Sequence, residues 1–192
     1  MRLAVFVSGN GSNLQCIIDN IQSQFLNGIT IGVVVADRDC YANQRAQNNN
    51  LKTLLINKKA DWHTQIEATL KEEDITHIVL AGFLSILNKT FCESWKNKLI
   101  NLHPSLLPKY GGKGMYGLKV HQAVIDHKEK ESGATVHFVT EKIDEGSILL
   151  QRKCNVDLNE TADSLQNKIH EIEKDILIES IKILYAKTQS TY

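Results

Sequence analysis

The chain has 192 residues, a length typical of one domain, and its 22 basic and 22 acidic side chains give zero formal net charge, which argues against a general nucleic-acid-binding protein. No apolar run approaches the length of a membrane span, and the four cysteines are scattered without a C-x-x-C pair. These features predict a single cytoplasmic domain, residues 1–192, with no membrane segment, metal site or disulfide framework.

Short β-branched runs alternate with longer amphipathic segments through the first 102 residues. Asp61 and Asn88 occupy typical N-cap positions before two of these segments. The alternation predicts βαβ units, and hence an α/β fold with a Rossmann-like, open twisted, mostly parallel sheet and helices on both faces. Strands are predicted over 3–7, 29–36, 53–56, 77–80 and 99–102, and helices over 12–22, 41–49, 61–73 and 88–95.

The pattern changes after residue 102. A glycine-rich stretch, 109–117, lacks any periodicity and is interpreted as a mobile loop. A helix over 119–127 and two further strands follow, and these strands form an antiparallel C-terminal addition to the sheet. A long final helix begins at Thr161, and its apolar stripe is typical of a helix docked on a core. The two strands are predicted over 134–139 and 148–156, and the stripe consists of Leu165, Ile169, Ile172, Ile176 and Leu184.

A glycine loop, residues 8–14 with the sequence Ser-Gly-Asn-Gly-Ser-Asn-Leu, joins the first strand to the first helix. Ligands of open α/β sheets bind at the carboxyl ends of strands, and helix-terminal N–H groups attract anions. We therefore predict a phosphate cradle at Gly11, Ser12 and Asn13. The alternative is a plain tight turn in which Ser12 caps the helix.

Two nucleotide motifs are excluded at this loop. A dinucleotide fingerprint needs a third glycine where the chain has Leu14, and the Gly-Lys-Ser/Thr of a Walker A loop is missing. Asp37 follows the second strand, where a dinucleotide fold places its ribose-binding acid. Without the third glycine, that role for Asp37 is discounted.

The segment 101–108, Asn-Leu-His-Pro-Ser-Leu-Leu-Pro, contains both prolines of the chain. Positions i and i+2 of an extended backbone share a face, so Asn101 and His103 aim an amide donor and an imidazole at the same point. Acyl transfer needs such a pair, because charge develops on a carbonyl oxygen while a proton moves. Asp144 is predicted as the carboxylate partner of His103, although a lone loop Asp is also a common turn former.

The other histidines have simpler interpretations. His121 and His137 could approach the same cleft, but a helix start and a strand face explain them equally well. The rest, including His77, are interpreted as surface or capping residues.

Together these motifs resemble those of the phosphoribosylglycinamide formyltransferases, folate-dependent formyltransferases of purine biosynthesis, over nearly the whole chain. The Asn-x-His-Pro-Ser element alone is shared with methionyl-tRNA formyltransferase and formyltetrahydrofolate hydrolase, and the glycine loop is what favours the purine enzyme. The matching segments are 8–14, 80–83, 101–108, 136–139 and 144–146.

The resemblance implies 10-formyltetrahydrofolate as formyl donor, glycinamide ribonucleotide as acceptor, no metal, and a monomer or homodimer. It implies that Asn101 and His103 stabilise an oxyanion and that Asp144 assists proton transfer. It divides the domain into a phosphate-binding half, 1–102, and a folate-binding and catalytic half, 103–192.

The resemblance also assigns binding residues. The ribonucleotide phosphate is assigned to the glycine loop and its ribose to Glu173. Family members often carry Arg where this chain has Ser85, and His where it has Lys174. The folate site is assigned to Leu84, Ser85, Ile86, Leu87, Asn101, Thr140, Glu141 and Asp144.

Three alternative functions stay open on sequence. A formyl-folate hydrolase would deliver water to the same carbon, and a non-catalytic domain would bind a nucleotide without transferring a formyl group. The third, a dinucleotide-dependent oxidoreductase, is disfavoured by Leu14.

Overall fold

A computed structural model describes residues 1–58 and 61–189. Every predicted strand and helix lies within these ranges, with ends that differ from the predictions by at most three residues. In chain order the elements are β1 (Arg2–Val7), α1 (Ser12–Gln22), β2 (Thr30–Ala36), α2 (Tyr41–Asn48), β3 (Thr53–Leu55), α3 (Trp62–Glu72), β4 (His77–Leu80), α4 (Lys89–Ser94), β5 (Leu99–His103), α5 (Leu118–Asp126), β6 (Glu131–Phe138), β7 (Ile148–Asn155) and α6 (Ala162–Gln189).

The strands form one sheet in the order β3-β2-β1-β4-β5-β6-β7. The first five strands pair in parallel, and β6 and β7 extend the sheet in antiparallel fashion. The predicted α/β fold, with its antiparallel C-terminal addition and long final helix, is confirmed. Among the described helices, none combines the length and the apolar character that crossing a membrane requires.

Alternate residues of the central strand β1 enter two separate cores. Leu3, Val5 and Val7 pack against α1, α2, α5 and α6 on one face, whereas Ala4 and Phe6 pack against α3 and α4 on the other. Successive strand side chains point to opposite faces, so a strand covered by helices on both sides reads as a continuous apolar run. All five side chains are fully buried, which fixes the register of the central strand.

Predicted caps begin three of the helices. Asp61 and Asn88 each accept a hydrogen bond from the backbone N–H three residues on, and the Asn88 contact to Phe91 is 2.8 Å long. Thr161 and Ser164 cap α6 reciprocally, since each side-chain oxygen accepts from the other's backbone N–H, at 3.1 and 3.0 Å. Each such cap typically contributes about 1 kcal/mol to helix stability.

The carboxyl ends of four parallel strands meet at one edge of the sheet. Register pairs Val7 with Ala36, and Leu80 with both Phe6 and Asn101. The segments that follow β1, β2 and β4 therefore lie side by side, next to the end of β5. The topology places the glycine loop and the Asn-x-His segment at the same edge, as expected for a ligand site of an open α/β sheet.

Candidate active site

Asn101 and His103 converge on the carboxylate of Asp144. The Asn101 Nδ2 lies 3.4 Å from one oxygen of Asp144, and the His103 Nδ1 lies 3.5 Å from the other. His103 is only 4 % exposed, and the Asp144 side chain 9 %. The structure therefore brings together the three residues that the sequence analysis assigned to catalysis.

Two loops hold Asp144 in place. Its own backbone is in the left-handed region, with φ 58°, and the N–H of Gly112 donates to its Oδ2 at 2.9 Å. Gly112 has φ 91°, a conformation that a residue with a Cβ rarely adopts. The glycine-rich stretch thus supplies a backbone donor to the site.

Asp144 is ionised at neutral pH. Burial alone would raise its pKa, but the charge of His103 and the hydrogen bond from the N–H of Gly112 help to lower the pKa below its usual value. The site therefore carries a permanent negative charge beneath the imidazole.

Both ring nitrogens of His103 face acceptors. The Nε2 lies 2.8 Å from the carbonyl oxygen of Tyr110, and the Nδ1 faces Asp144. A carbonyl and a carboxylate both need a donor, so an imidazolium satisfies the two sides at once.

His137 also belongs to this cluster. The sequence analysis explained it equally well as a residue on a strand face. It lies on β6 directly opposite Asn101, and its Nε2 is 3.1 Å from the Asn101 Nδ2. Its Nδ1 lies 2.9 Å from the carbonyl oxygen of Phe138, so we assign the proton to Nδ1 and make Nε2 the acceptor. The imidazole thereby orients the amide of Asn101. The pattern of β6 alone indicates a buried strand face but not its partner.

His121 lies behind this cluster on α5. It is buried, and its Nδ1 has no hydrogen-bond partner among the described residues. Burial, with a smaller contribution from the charge of His103, lowers the pKa of His121 to about 4. The ring is therefore neutral at physiological pH.

The glycine loop forms an uncapped helix start. Gly11 is the N-cap of α1 with φ 73°, and a Cβ at this position would lie 2.6 Å from that of Ala42. No side-chain hydrogen bond caps the start of α1, so Ser12 is not the cap. Arg45 donates to the carbonyl oxygen of Asn10 at 2.8 Å. The loop joins free helix-terminal donors to a nearby cation, the combination that binds a phosphate.

Residues 1–181 match the family model for formyl transferase. The chain belongs to the formyl transferase family. Its resemblance to the phosphoribosylglycinamide formyltransferases is likewise confirmed. The chain is 34% identical over 181 residues to "Phosphoribosylglycinamide formyltransferase" of Escherichia coli (strain K12), and this match covers 92% of the chain and 83% of that protein.

Three further matches agree. The chloroplastic phosphoribosylglycinamide formyltransferase of Vigna unguiculata is 36% identical over 188 residues, which cover 95% of the chain but only 60% of that relative. The chain spans a similar share, 64%, of the chloroplastic relative from Arabidopsis thaliana. The crystal structure of phosphoribosylglycinamide formyltransferase from Anaplasma phagocytophilum superposes with a TM-score of 0.88 at 30% identity, covering 97% of the chain and 87% of the other.

Apart from Asn101 on β5, the residues assigned to folate lie on two loops of this formyl transferase domain. Leu84 and Ile86 are 44 % and 63 % exposed, an unusual state for large apolar side chains, whereas Leu87 is buried. Thr140 and Glu141 are exposed on the other loop. The Glu141 carboxylate lies 3.7 Å from the ammonium of Lys89, just beyond the first loop, so the two loops face each other.

Glu173 lies in the fourth turn of α6, the helix that shares a core with α1. Its half-buried carboxylate accepts from the Nδ1 of His170 at 3.0 Å. Lys174 donates to Glu171 at 2.7 Å on the same helix. The ribose-binding role of Glu173 therefore stays a prediction.

Among the described residues, no group of three or more His, Cys, Asp or Glu side chains is arranged to hold a metal ion.

Proposed function

We propose that this protein transfers a formyl group from 10-formyltetrahydrofolate to the amine of glycinamide ribonucleotide, a step of purine biosynthesis. The observation that carries the proposal is the buried convergence of Asn101 and His103 on Asp144, within 3.5 Å, at the sheet edge that also holds the uncapped glycine loop. The relatives' names describe this activity for those proteins.

The acceptor amine is itself the nucleophile, so the chain need not supply one. As the amine adds to the formyl carbon, the formyl oxygen becomes an oxyanion. Asn101 donates to this oxygen the Nδ2 proton that otherwise faces Asp144 at 3.4 Å, while its other proton is held by His137. The Nε2 proton of His103 is held by the carbonyl oxygen of Tyr110, so His103 donates from Nδ1. Two fixed, desolvated donors of this kind each lower the barrier by about 3 to 4 kcal/mol.

Collapse of the intermediate breaks the bond between the formyl carbon and the folate nitrogen. The amine loses a proton and the folate nitrogen gains one, so the transfer is balanced without an external acid. Asp144 keeps His103 charged and orders a water that relays this proton. Its lowered pKa suits both roles, since the carboxylate stays ionised.

The two substrates approach from different sides of the cluster. The phosphate binds the N–H groups of Gly11, Ser12 and Asn13 and the side chains of Ser12 and Asn13, and Glu173 holds the ribose hydroxyls. The pterin lies between the facing loops 84–87 and 140–144, whose exposed apolar side chains it covers. The formyl group is then placed against Asn101.

A formyl-transfer assay followed spectrophotometrically, with and without glycinamide ribonucleotide, tests the proposal. Turnover that requires the ribonucleotide supports it. Folate deformylation at the same rate without ribonucleotide would instead identify a hydrolase. Binding of the ribonucleotide with no turnover of either kind would leave a nucleotide-binding domain and overturn the catalytic assignment.

The compartment and the assembly are part of the same proposal. Cys16, Cys40, Cys92 and Cys154 are all free thiols, which suits the reducing cytoplasm. A monomer or homodimer is expected, and sedimentation velocity of the purified protein distinguishes the two.

A further inference from the structure

A buried carboxylate at the end of β2 has no part in the chemistry proposed above. The Asp37 side chain has 0 % relative exposure, yet it lies at the ligand-binding edge of the sheet. Arg38 donates to it from Nε and Nη2 at 2.9 and 3.0 Å, Lys58 at 3.1 Å and the Ser85 hydroxyl at 2.6 Å. Ser8 also bonds to the carboxylate through its hydroxyl.

These donors occupy the carboxylate. A carboxylate has about four lone-pair sites, and Arg38, Lys58, Ser85 and Ser8 together direct five donor groups at the two oxygens of Asp37. No acceptor capacity is left for a ribose hydroxyl. The position that a dinucleotide fold uses for its ribose acid is thus turned inward here, towards the protein.

The donors that matter for function come from the loop after β4. Ser85 is bound to Asp37 directly, and the N–H of Leu84 donates to Ser8 Oγ at 2.8 Å. Two consecutive residues of the loop assigned to folate are therefore tied to one carboxylate. The large apolar side chains on this loop, Leu84 and Ile86, are exposed, so core packing does not fix their positions.

The charge of Asp37 makes this tie strong. Burial alone would raise its pKa, but hydrogen bonds from Arg38, Ser85, Ser8 and Lys58 outweigh burial and hold the pKa far below its ordinary range. The carboxylate is therefore ionised at any pH at which the enzyme works. A short hydroxyl-to-carboxylate bond is roughly twice as strong as a neutral one.

We propose that Asp37 is a positioning residue for the folate substrate. Through its hydrogen bonds to Ser85 and Ser8, Asp37 fixes the backbone position of residues 84–87. This position places the pterin next to Asn101. The inference rests on the proposed function, because it concerns the folate loop of that site.

The test compares folate and ribonucleotide parameters in Asp37→Asn. The substitution keeps the size of the side chain and removes its charge, and Arg38 and Lys58 are exposed enough to turn to solvent. We expect the KM for 10-formyltetrahydrofolate to rise about tenfold, while kcat and the KM for the ribonucleotide stay within about twofold. An equal rise in both KM values would indicate a merely structural role and overturn the proposal.

Glu73→Gln is the matched control. Glu73 is also bound by one Arg and one Lys, namely Arg2 at 2.8 Å and Lys52 at 2.7 Å, but at the opposite edge of the sheet. The Glu73→Gln substitution removes the charge of a comparable ion-paired carboxylate and leaves the folate loop unchanged. A rise in folate KM in this variant as large as in Asp37→Asn would contradict the proposal.

Ser85 supplies a second route if Asp37→Asn does not fold. Ser85→Ala removes the hydroxyl and should raise the folate KM, whereas Ser85→Thr keeps it and should restore the wild-type value. Equilibrium binding of 10-formyltetrahydrofolate, read by intrinsic fluorescence, separates the two levels of inference. A wild-type protein that binds no folate overturns both; wild-type binding that neither Asp37→Asn nor Ser85→Ala weakens overturns this one alone.

Discussion

The catalytic cluster and the glycine loop lie at the same edge of the sheet but are built in opposite ways. The cluster consists of buried side chains from separate segments, and Asn101, His103 and His137 all have partners within 3.1 Å. The loop presents backbone N–H groups at an uncapped helix start, and its shape depends on Gly11. Side chains that must meet a developing charge are held from several directions, whereas one short loop can present all the donors that a phosphate needs.

This difference follows from when the charge exists. The oxyanion is present only in the transition state and intermediate, so donors that are already desolvated and oriented act on kcat. In the proposed function the phosphate carries its charge before, during and after the reaction, so the loop should contribute uniform binding and act on KM. Substitutions in the two regions should therefore separate these parameters.

The largest effect is expected from the cluster. Asn101→Ala or His103→Ala removes one oxyanion donor and should lower kcat by about a hundredfold or more, with little change in the KM for the ribonucleotide. Steady-state kinetics on variants whose circular dichroism matches the wild type provide the measurement. Wild-type turnover in both variants would contradict the assignment of Asn101 and His103 to catalysis.

A smaller loss of kcat is expected from His137→Leu. The imidazole holds the Asn101 amide at 3.1 Å, and without it the amide regains rotational freedom, so kcat should fall about tenfold. His127→Gln is the control, because His127 is exposed and its Nδ1 lies 2.7 Å from the carbonyl oxygen of Ala123. If His137→Leu left kcat unchanged while both substrates bound normally, His137 would be an ordinary core residue.

The loop should respond in KM alone. Asn13→Ala removes a side-chain donor at the helix start and should raise the KM for the ribonucleotide about tenfold while kcat stays near wild type. Asn20→Ala, two turns further along α1, removes a bond to the Cys16 carbonyl oxygen and should leave that KM unchanged. A fall in kcat in Asn13→Ala would contradict the prediction that the glycine loop affects KM alone.

The smallest effect concerns stability rather than turnover. His121 and His77 are both buried, and burial is the main cause that lowers the pKa of each to about 4. Since the unfolded pKa is about 6.5, the unfolded chain takes up protons first as the pH falls, so stability is lost between about pH 6.5 and pH 4. Each histidine should cost about 1 to 2 kcal/mol between pH 7 and pH 5.

Chemical denaturation at the two pH values measures this loss. His121→Leu and His77→Leu should each reduce the difference between pH 7 and pH 5, because each removes one group that charges only on unfolding. An unchanged pH difference in both variants would show that other groups govern acid stability. His77 also corrects the sequence interpretation, which assigned it to the surface; at the start of β4 it lies buried in the sheet.

The strands, the helices and three caps follow from local sequence. The apolar run of β1, the capping residues and the stripe of α6 each depend on spacing within a few residues, which the chain itself displays. The Asn101 and His103 pair belongs to the same category, because two residues on one strand share a face whatever that strand pairs with.

Only the tertiary structure decided which distant groups meet that pair. His137 lies opposite Asn101 because β5 and β6 pair in one antiparallel register, and a shift of one residue would turn it to the other face. Asp144 reaches His103 from the loop between β6 and β7, where its own backbone is left-handed. The strand order likewise turned Asp37 inward, towards Ser85. Spacing along the chain fixes local geometry, but contacts between remote segments depend on register, loop path and burial, which no single stretch of sequence contains.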